Sequence, residues 1–487
     1  MSVTFVRPEV EDKLDSWQLV RDAVAGSERV KAGGYVIPVN PHDDSDANRA
    51  RNASRVDGAF YFNATGRTLP ALVGIAFGKW PEVKLPPDLE YLLKDADGSG
   101  VGIINQSQAT VSEILQTGRA GLLVDYPQAD RAISRADASD RALRPTISLY
   151  VAESITNWRV ERIGARNQLS LVVLRESYEQ WDEFEMVAAP QYRVLRLVEG
   201  VYVQEVYRQE GGQWVSVDFR QPLDGMGRPW REIPFTFIGA TNNDPTPDNS
   251  PLYDLADANI AHFRNSADHE EALFFAGQAQ YWVSGATTEW VESLQEAGVY
   301  VGSRSVMPVP EGGQMGLVQA QAVSALSEEM KHKVELMAQL GARLIAPGQA
   351  TRTATEAAAD DKTSNSVLSI VCDNVSDAYR AALAWAAQYA NTAYSDGELD
   401  FSIYTEFSGV QFDAQQMAQV LAAVQSDRLP ECDFWTYLRS IGLIAADKSD
   451  DEIREELAAL GWGDLDETIP PAGSGTTVAG LQNESEV

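Results

Sequence analysis

Three short stretches of the chain have residue types and spacing that could support chemistry, and each departs from the pattern that its chemistry needs. Residues 74–80 (GIAFGKW) resemble a phosphate-binding loop, but the stretch is one residue short and has Trp80 where a Ser or Thr would hold magnesium. Residues 95–100 (DADGSG) begin as a calcium-binding loop does, but Gln106 replaces the bidentate glutamate at position 12. His269 begins a zinc-protease pattern, but Leu273 replaces its second histidine.

Other catalytic and metal-binding patterns are also missing from the sequence. It has no Gly-x-Ser-x-Gly elbow, which a serine hydrolase of the α/β class would carry. Its histidines are too dispersed to predict a metal cluster; they are His42, His262, His269 and His332. We therefore predict a protein that is not an enzyme and that has no catalytic residues, no metal and no cofactor.

The charge of the chain excludes a protein that grips nucleic-acid phosphates. Its 71 acidic residues exceed its 39 basic residues, so the formal net charge is −32. Solubility is the ordinary explanation for such an acidic chain. Such a surface also repels phosphates, over roughly 8 Å at physiological salt. The tryptophans are scattered and do not alternate with basic residues, which argues against a base-stacking platform.

Length and composition are those of a multidomain globular protein. A chain of 487 residues with 44% hydrophobic content can form two to four domains. No apolar run reaches the length of a transmembrane helix, and the first residues lack the features of a signal peptide. With only Cys372 and Cys432, we expect no disulfide framework and a reducing cytoplasm as the compartment of synthesis.

The hydrophobic pattern predicts an α+β fold whose helices and strands occupy different parts of the chain. Helical periodicity with short breaks dominates residues 1–145, and a strand period dominates residues 147–239. We expect the strands at 122–127, 148–151, 158–163, 169–176, 192–197, 202–207 and 214–219, with glycine-containing turns between several of them.

A different order of elements follows, from residue 251 to residue 394. It is a helix at 251–277, an insert with β character at 280–318, and a second helix at 322–341 whose apolar stripe is Leu326, Met330, Val334 and Met337. A loop at 342–352 precedes an alanine-rich helix at 353–394, which would be about 60 Å long. Such a helix is too long for an ordinary globular core and suits a wall repeated around a ring.

This order resembles the stem–clip–stem order of portal proteins of tailed bacteriophages. It is most similar to a portal family long left as an uncharacterised domain. The resemblance rests on the order and spacing of stretches over most of the chain, none of which is a chemical motif by itself. They are 17–26 (WQLVRDAVAG) with Lys31 and 33–38 (GGYVIP), 59–74 (AFYFNATGRTLPALVG), 118–127 (GRAGLLVDYP), 157–159 (NWR), 250–259 (SPLYDLADAN) and 340–343 (LGAR).

The resemblance implies a portal fold with named parts. Residues 1–250 would form the α/β wing, 251–277 and 322–341 the two stem helices, and 280–318 the clip. Residues 342–352 would be the channel loop, and 353–394 a long helix of the wing. A mainly helical crown would follow at 395–469, and we expect a disordered tail at 470–487, which is rich in small and polar residues.

The resemblance also implies a function and partners. The chain would form a homo-oligomeric ring, twelve-fold in the family, at one capsid vertex of the virion, assembled in the host cytoplasm. DNA would pass through it during packaging and ejection without sequence-specific binding. The partners would be the major capsid protein, the terminase, head-completion or adaptor proteins and tail proteins, with no membrane. The alternatives are another virion ring (adaptor or scaffold), a helical scaffold of unrelated role, and a DNA-processing enzyme, against which the absent phosphate loop argues.

Three groups of residues are the candidate sites. For the clip interface they are aromatic residues among few charges, which we expect on exposed strand edges: Tyr281, Trp282, Trp290 and Tyr300. For the DNA-channel loop they are Arg343, Gln349, Thr351 and Arg352, where both arginines could instead pair with Glu356 or Asp360. For a seam between subunits they are Ala382 and Ala386, unless the long helix is buried inside one subunit's own fold.

Overall fold

The computed structural model of the chain describes residues 2–126, 143–278, 280–297, 309, 311–319, 324–345, 366–395, 397–405, 432, 435, 449 and 450. The chain divides into two compact units, Met1–Phe407 and Ser408–Val487. Of the second unit, Cys432, Trp435, Ser449 and Asp450 are described, and all but Ser449 are helical. The other residues of the predicted crown and tail after residue 405 lie outside the described residues. None of the described helices has both the length and the apolar character of a membrane-spanning segment.

The first unit begins with five helices. Capping residues set several of their ends, since Pro8 stands in the first turn of the first helix, and the side chains of Ser45 and Asn63 cap the third and fourth. Gly118, in the left-handed conformation, ends the fifth. The helices are α1 Pro8–Ala25, α2 Ser27–Ala32, α3 Asp46–Gly58, α4 Ala64–Ala76 and α5 Ile103–Thr117.

Most strands of the unit form two antiparallel sheets. One has three strands in the order β3–β2–β9, namely β2 Arg119–Asp125, β3 Thr146–Val151 and β9 Phe235–Gly239. The other is a five-stranded meander of β4 Ile155–Ile163, β5 Arg166–Asp182, β6 Glu185–Val198, β7 Val201–Glu210 and β8 Gln213–Arg220. A short pair, β1 Glu82–Lys84 and β12 Asp400–Ser402, is separate. The predicted α+β class is confirmed, and β9 is a strand that the pattern did not single out.

The segment after residue 250 has the predicted order of elements with three corrections. It comprises α6 Tyr253–Gly277, strand β10 Gln280–Ser284, helix α7 Thr288–Ala297, strand β11 Gln314–Val318, α8 Ser324–Ile345 and α9 Val367–Ala390. The insert is not purely β, because α7 lies within it. Helix α8 continues past Gly341, so the helix end predicted there is wrong.

The third correction concerns the start of the long helix. Ser366 has an extended backbone (φ −66°, ψ 159°), and its hydroxyl accepts a hydrogen bond from the backbone N–H of Ser369 at 3.1 Å. Ser366 is therefore the N-cap of the helix, and the prediction of one unbroken helix from residue 353 is wrong. The described helix has 24 residues and is about 36 Å long. Residues 353–365 lie outside the described residues.

Helix α9 belongs to the main core of the subunit. Leu368, Val371, Val375, Tyr379 and Leu383 are buried in one cluster with residues of α1, α5, β2 and β9. The proposed seam alanines, Ala382 and Ala386, are in the same cluster and have no exposed surface. Side chains that are fully buried within one chain cannot contact a neighbouring chain. This geometry therefore favours the alternative, in which the helix is buried inside the chain's own fold.

Replacement of Ala382 by tryptophan should therefore unfold the chain itself. An indole has no room in this close-packed core, and overpacking costs roughly 1–3 kcal/mol or more. We expect Ala382→Trp to lower the thermal midpoint measured by circular dichroism, whereas Ala50→Trp, on the exposed face of α3, should not. A variant with native dichroism that fails only to oligomerise would return Ala382 to the subunit seam.

Candidate functional site

The candidate site is the pair of helices α6 and α8 with the insert between them. Helix α6 buries Leu255, Ile260 and Phe263, and α8 buries Met337 and Leu344. The predicted stripe of α8 faces the subunit, since Leu326, Met330 and Val334 are half-buried and Met337 is 2% exposed. The two helices pack on each other, and the insert connects the C-terminal end of α6 to the N-terminal end of α8.

A buried asparagine fixes α6 to the rest of the subunit. The Oδ1 atom of Asn259 accepts hydrogen bonds from the backbone N–H groups of Ala64 (3.1 Å) and Thr65 (3.0 Å) and from the Thr65 hydroxyl (3.0 Å). Its Nδ2 donates to the carbonyl oxygen of Phe62 at 2.7 Å. The first N–H groups of a helix have no partner inside the helix, so Asn259 supplies what the start of α4 lacks. Two of the stretches that carry the resemblance, 59–74 and 250–259, meet here.

Two further stretches of the resemblance, 17–26 and 118–127, also meet in the core. The Trp17 indole N–H donates to the carbonyl oxygen of Thr117 at 2.7 Å, next to Gly118. Gly118 has φ +74°, and a Cβ there would lie 2.6 Å from the carbonyl oxygen of Asn249. Glycine is therefore required where the start of strand β2 passes the segment that leads into α6.

Arg119, one residue further on, is a buried cation held by aromatic rings. Its guanidinium carbon lies 4.3 Å from the ring centre of Trp158 and 4.7 Å from that of Phe237, and its Nη1 donates to the carbonyl oxygen of Pro245 at 2.6 Å. Burial lowers the pKa of Arg119 to about 9, because desolvation disfavours the charged form. Trp158 belongs to the 157–159 stretch, so cation–π packing links it to the 118–127 stretch.

The insert projects an apolar ribbon from this support. Strands β10 and β11 pair in register with Trp282 opposite Gly316, where an added Cβ would lie 2.6 Å from the indole. The glycine lets the indole lie across the neighbouring strand. Neither strand pairs with a further strand in the described part of the chain. The exposed apolar side chains of the ribbon and of the adjoining end of α6 are Leu273, Phe274, Phe275, Tyr281, Trp282, Met315, Leu317 and Val318.

The four aromatic candidates of the clip therefore have different outcomes. Tyr281 and Trp282 lie on β10 and are 46% and 44% exposed. Trp290 lies on helix α7, so its predicted place on a strand edge is wrong. Tyr300 lies outside the described residues. Phe274 and Phe275, which sequence reasoning missed, extend the apolar surface onto α6, and an aromatic pair before a glycine at a helix end was a signal for them.

Of the channel-loop candidates, Arg343 lies within the structure and the other three lie outside the described residues. Arg343 is exposed in the last turn of α8, where a positive charge interacts favourably with the helix dipole. It forms no ion pair with the described residues. Gln349, Thr351 and Arg352 follow the end of α8 in the sequence.

The geometry also explains why two of the chemical stretches cannot bind their ligands. Residues 74–76 form the last turn of α4, so the first amides of the phosphate-loop pattern are inside a helix. The Asp95 carboxylate accepts from the N–H groups of Gly98 (2.8 Å) and Gly100 (2.9 Å) and also pairs with Arg144. A carboxylate so occupied has no free face for calcium. Among the described residues, no group of three or more His, Cys, Asp or Glu side chains could hold a metal.

Comparison with known proteins gives one family and a set of distant structures. Residues 251–390 match a family model described as a domain of unknown function (DUF4055), and this range contains the helix–insert–helix segment. A search of curated proteins gives no match. The virion of a native gene transfer agent particle has a chain with 15% identity and a TM-score of 0.35, and the alignment covers 90% of this chain and 99% of that one. The neck of a native gene transfer agent particle, computed with C12 symmetry, gives 16% identity and a TM-score of 0.35 over the same shares. Similarity at this level carries no argument for the function of this chain.

The anchoring role of Asn259 can be tested by truncation. Asn259→Ala leaves the backbone N–H and the hydroxyl of Thr65 without their acceptor, while the N–H of Ala64 keeps the carbonyl oxygen of Phe62. We therefore expect a loss of roughly 2–4 kcal/mol in the free energy of unfolding. The control is Asn265→Ala on the same helix. Its side chain makes no hydrogen bond with the described residues, so the change should alter stability by less than about 0.5 kcal/mol. Chemical denaturation followed by tryptophan fluorescence measures both, and equal stabilities would refute the anchor.

Proposed function

We propose that this chain is the subunit of a portal ring at one vertex of a phage-like capsid. The observation that carries the proposal is the ribbon β10–β11, which α6 and α8 support. Its outer edges pair with no further strand in the described part of the chain, and its apolar side chains are exposed. A two-stranded ribbon is marginal in water by itself. Surface of this kind is completed by another chain, and the matched family range covers the same segment.

A ring explains this geometry better than a dimer does. One outer edge of the ribbon belongs to β10 and the other to β11. If the β10 edge of one subunit pairs with the β11 edge of the next, the contact is head-to-tail, repeats from subunit to subunit, and can close into a ring. The family implies twelve subunits. The helices α6 and α8 would form the wall of the channel, and the subunit core around α9 would stay unchanged on assembly.

The charge of the chain suits passage of DNA through such a ring. A net charge of −32 per subunit makes the assembly as a whole repel phosphates, so the polymer is not held by the ion pairs that make nucleic-acid binding strong. The same charge makes subunits repel one another, and divalent cations or basic partners would offset this repulsion. The partners in this function are the major capsid protein, the terminase, adaptor and tail proteins.

The ribbon can be tested by charge placed on its apolar surface. Tyr281 and Leu317 are opposite each other in the pairing, and both are about half exposed. We expect the wild-type chain to form rings with an axial hole in negative-stain images. Tyr281→Asp/Leu317→Asp, or deletion of residues 280–318, should leave a folded monomer by mass photometry and circular dichroism, because desolvation of aspartates at an interface is costly.

The control is Met226→Asp, which changes an apolar residue outside the insert that is 65% exposed and should still give rings. Rings formed by the deletion variant would exclude the ribbon as the assembly surface. A wild-type chain that stays monomeric at all concentrations would contradict the portal function itself.

The channel loop gives a separate prediction. We propose that Arg343 and Arg352 contact DNA in the channel, where a few positive charges on an acidic wall would position the polymer without holding it. Arg343→Glu/Arg352→Glu should form normal rings but give fewer DNA-filled heads, as counted by electron microscopy of particles from a complemented phage. Lys331→Glu, an exposed residue about three turns earlier on α8, is the control. Normal packaging by the double variant would remove both arginines from the channel.

A further inference from the structure

A second projecting element lies far from the insert in sequence. In the five-stranded sheet, β4 pairs with β5 only as far as Leu174, and β7 pairs with β6 only as far as Arg208 opposite Gln191. Residues 177–190, here called the finger, therefore pair only with each other in the described structure. Six paired residues on each side give a length of about 20 Å beyond the sheet.

The finger exposes large apolar side chains at its tip and on both faces. Phe184, in the turn, is 93% exposed, and Trp181 is 63% exposed. Trp181 is opposite Met186 on one face, and Val187 is opposite Gln180 on the other, because side chains alternate along a strand. A flat contact would cover only one face of the finger. Apolar side chains on both faces and in the turn are covered together only if the finger inserts into a groove.

The turn at the tip of the finger has side chains where a tight turn usually has glycine. Glu183 has φ +50°, a conformation that favours glycine, yet the two residues of the turn are Glu183 and Phe184. An ordinary tight hairpin would carry Asn-Gly at this place. The chain keeps a charged and an aromatic side chain here although a left-handed backbone is unfavourable for residues with a Cβ.

The charge of the finger indicates the chemistry of its partner. Residues 177–190 include four carboxylates and no basic residue: Glu179, Asp182, Glu183 and Glu185. We propose that the finger inserts into an apolar groove bordered by lysine and arginine on a different protein of the particle. A second copy of this chain fits poorly as the occupant, because each copy has a net charge of −32 and would repel an acidic plug.

This inference rests on the proposed portal function, and its test separates the two. A phage that lacks this gene is complemented with the wild-type chain or with a variant, and DNA-filled particles are counted and immunoblotted for the chain. One variant removes the apolar groups (Trp181→Ser/Phe184→Ser/Val187→Ser), and a second reverses the charge (Glu179→Lys/Glu183→Lys/Glu185→Lys). The control, Trp80→Ser, removes an equally large and 73% exposed indole elsewhere. Each purified chain is first checked for folding and for ring formation.

We expect both finger variants to form wild-type rings and to reduce the yield of particles that contain the chain about tenfold or more, while the control stays at the wild-type yield. Wild-type yield with the apolar variant would overturn the proposal. Wild-type yield with the charge-reversed variant would overturn the basic groove. Folded finger variants that do not form rings would show that the occupant is another copy of the chain, which also overturns it. If the wild-type chain is absent from particles, the portal function fails instead.

Discussion

The constraint on which the structure depends is the backbone at the two outer edges of the β10–β11 ribbon, which pairs with no further strand among the residues that the structure describes. Each edge presents N–H and C=O groups that only water or another strand can satisfy, and the side chains beside them are apolar. Water satisfies the edges but not the apolar side chains, so exposure of both together is unfavourable. Addition of a neighbouring chain removes both costs at once. The rest of the surface is acidic, and like-charge repulsion disfavours association there.

Such a ribbon is useful only if its support is rigid. The support comes from polar groups buried in places where only one partner fits: Asn259 under the start of α4, and Arg119 between Trp158 and Phe237. Asn259 supplies an acceptor to the start of α4. The Arg119 guanidinium lies against two aromatic rings, although its Nε and Nη2 have no hydrogen-bond partner among the described residues. Each contact fixes one relative position of its elements. The half-buried Arg21 of α1 also forms two ion pairs at 2.6 Å, one with Glu113 of α5 and one with Glu153 in the turn after β3. The stretches that carry the resemblance are thus the places where elements of the subunit are fixed to one another.

Much of this arrangement could be predicted from the sequence because its patterns are long and regular. The stripe on α8 and the strands from Thr146 to Arg220 follow simple periods, and their type was predicted correctly. The ends of elements were harder. Gly341 predicts a helix end. In the structure α8 continues to Ile345, and Gly341 packs beside Thr68 of α4. At Ser366 a local side-chain hydrogen bond begins α9, although the alanine-rich composition before it favours helix.

The candidate site was predictable in its position but not in all its residues. Aromatic composition marked the insert, but strand and helix are hard to distinguish in a short segment, so Trp290 was placed on a strand when it lies on α7. Ala382 and Ala386 illustrate another limit. Small residues permit close approach inside a core or between subunits, and a sequence does not distinguish these two uses. Asn259 was visible as a polar residue in an apolar stripe, but its partners are almost 200 residues away.

The most direct test of the central claim is hydrogen–deuterium exchange at the ribbon, compared between the assembled and the dissociated chain. In an isolated ribbon, alternate amides of residues 280–284 and 314–318 point outward and exchange quickly. If the edges pair with neighbouring subunits, these amides should become protected on assembly, whereas peptides from α9 should exchange equally slowly in both states. Equal exchange of the ribbon amides in ring and monomer would contradict the claim that the ribbon is where the subunits join.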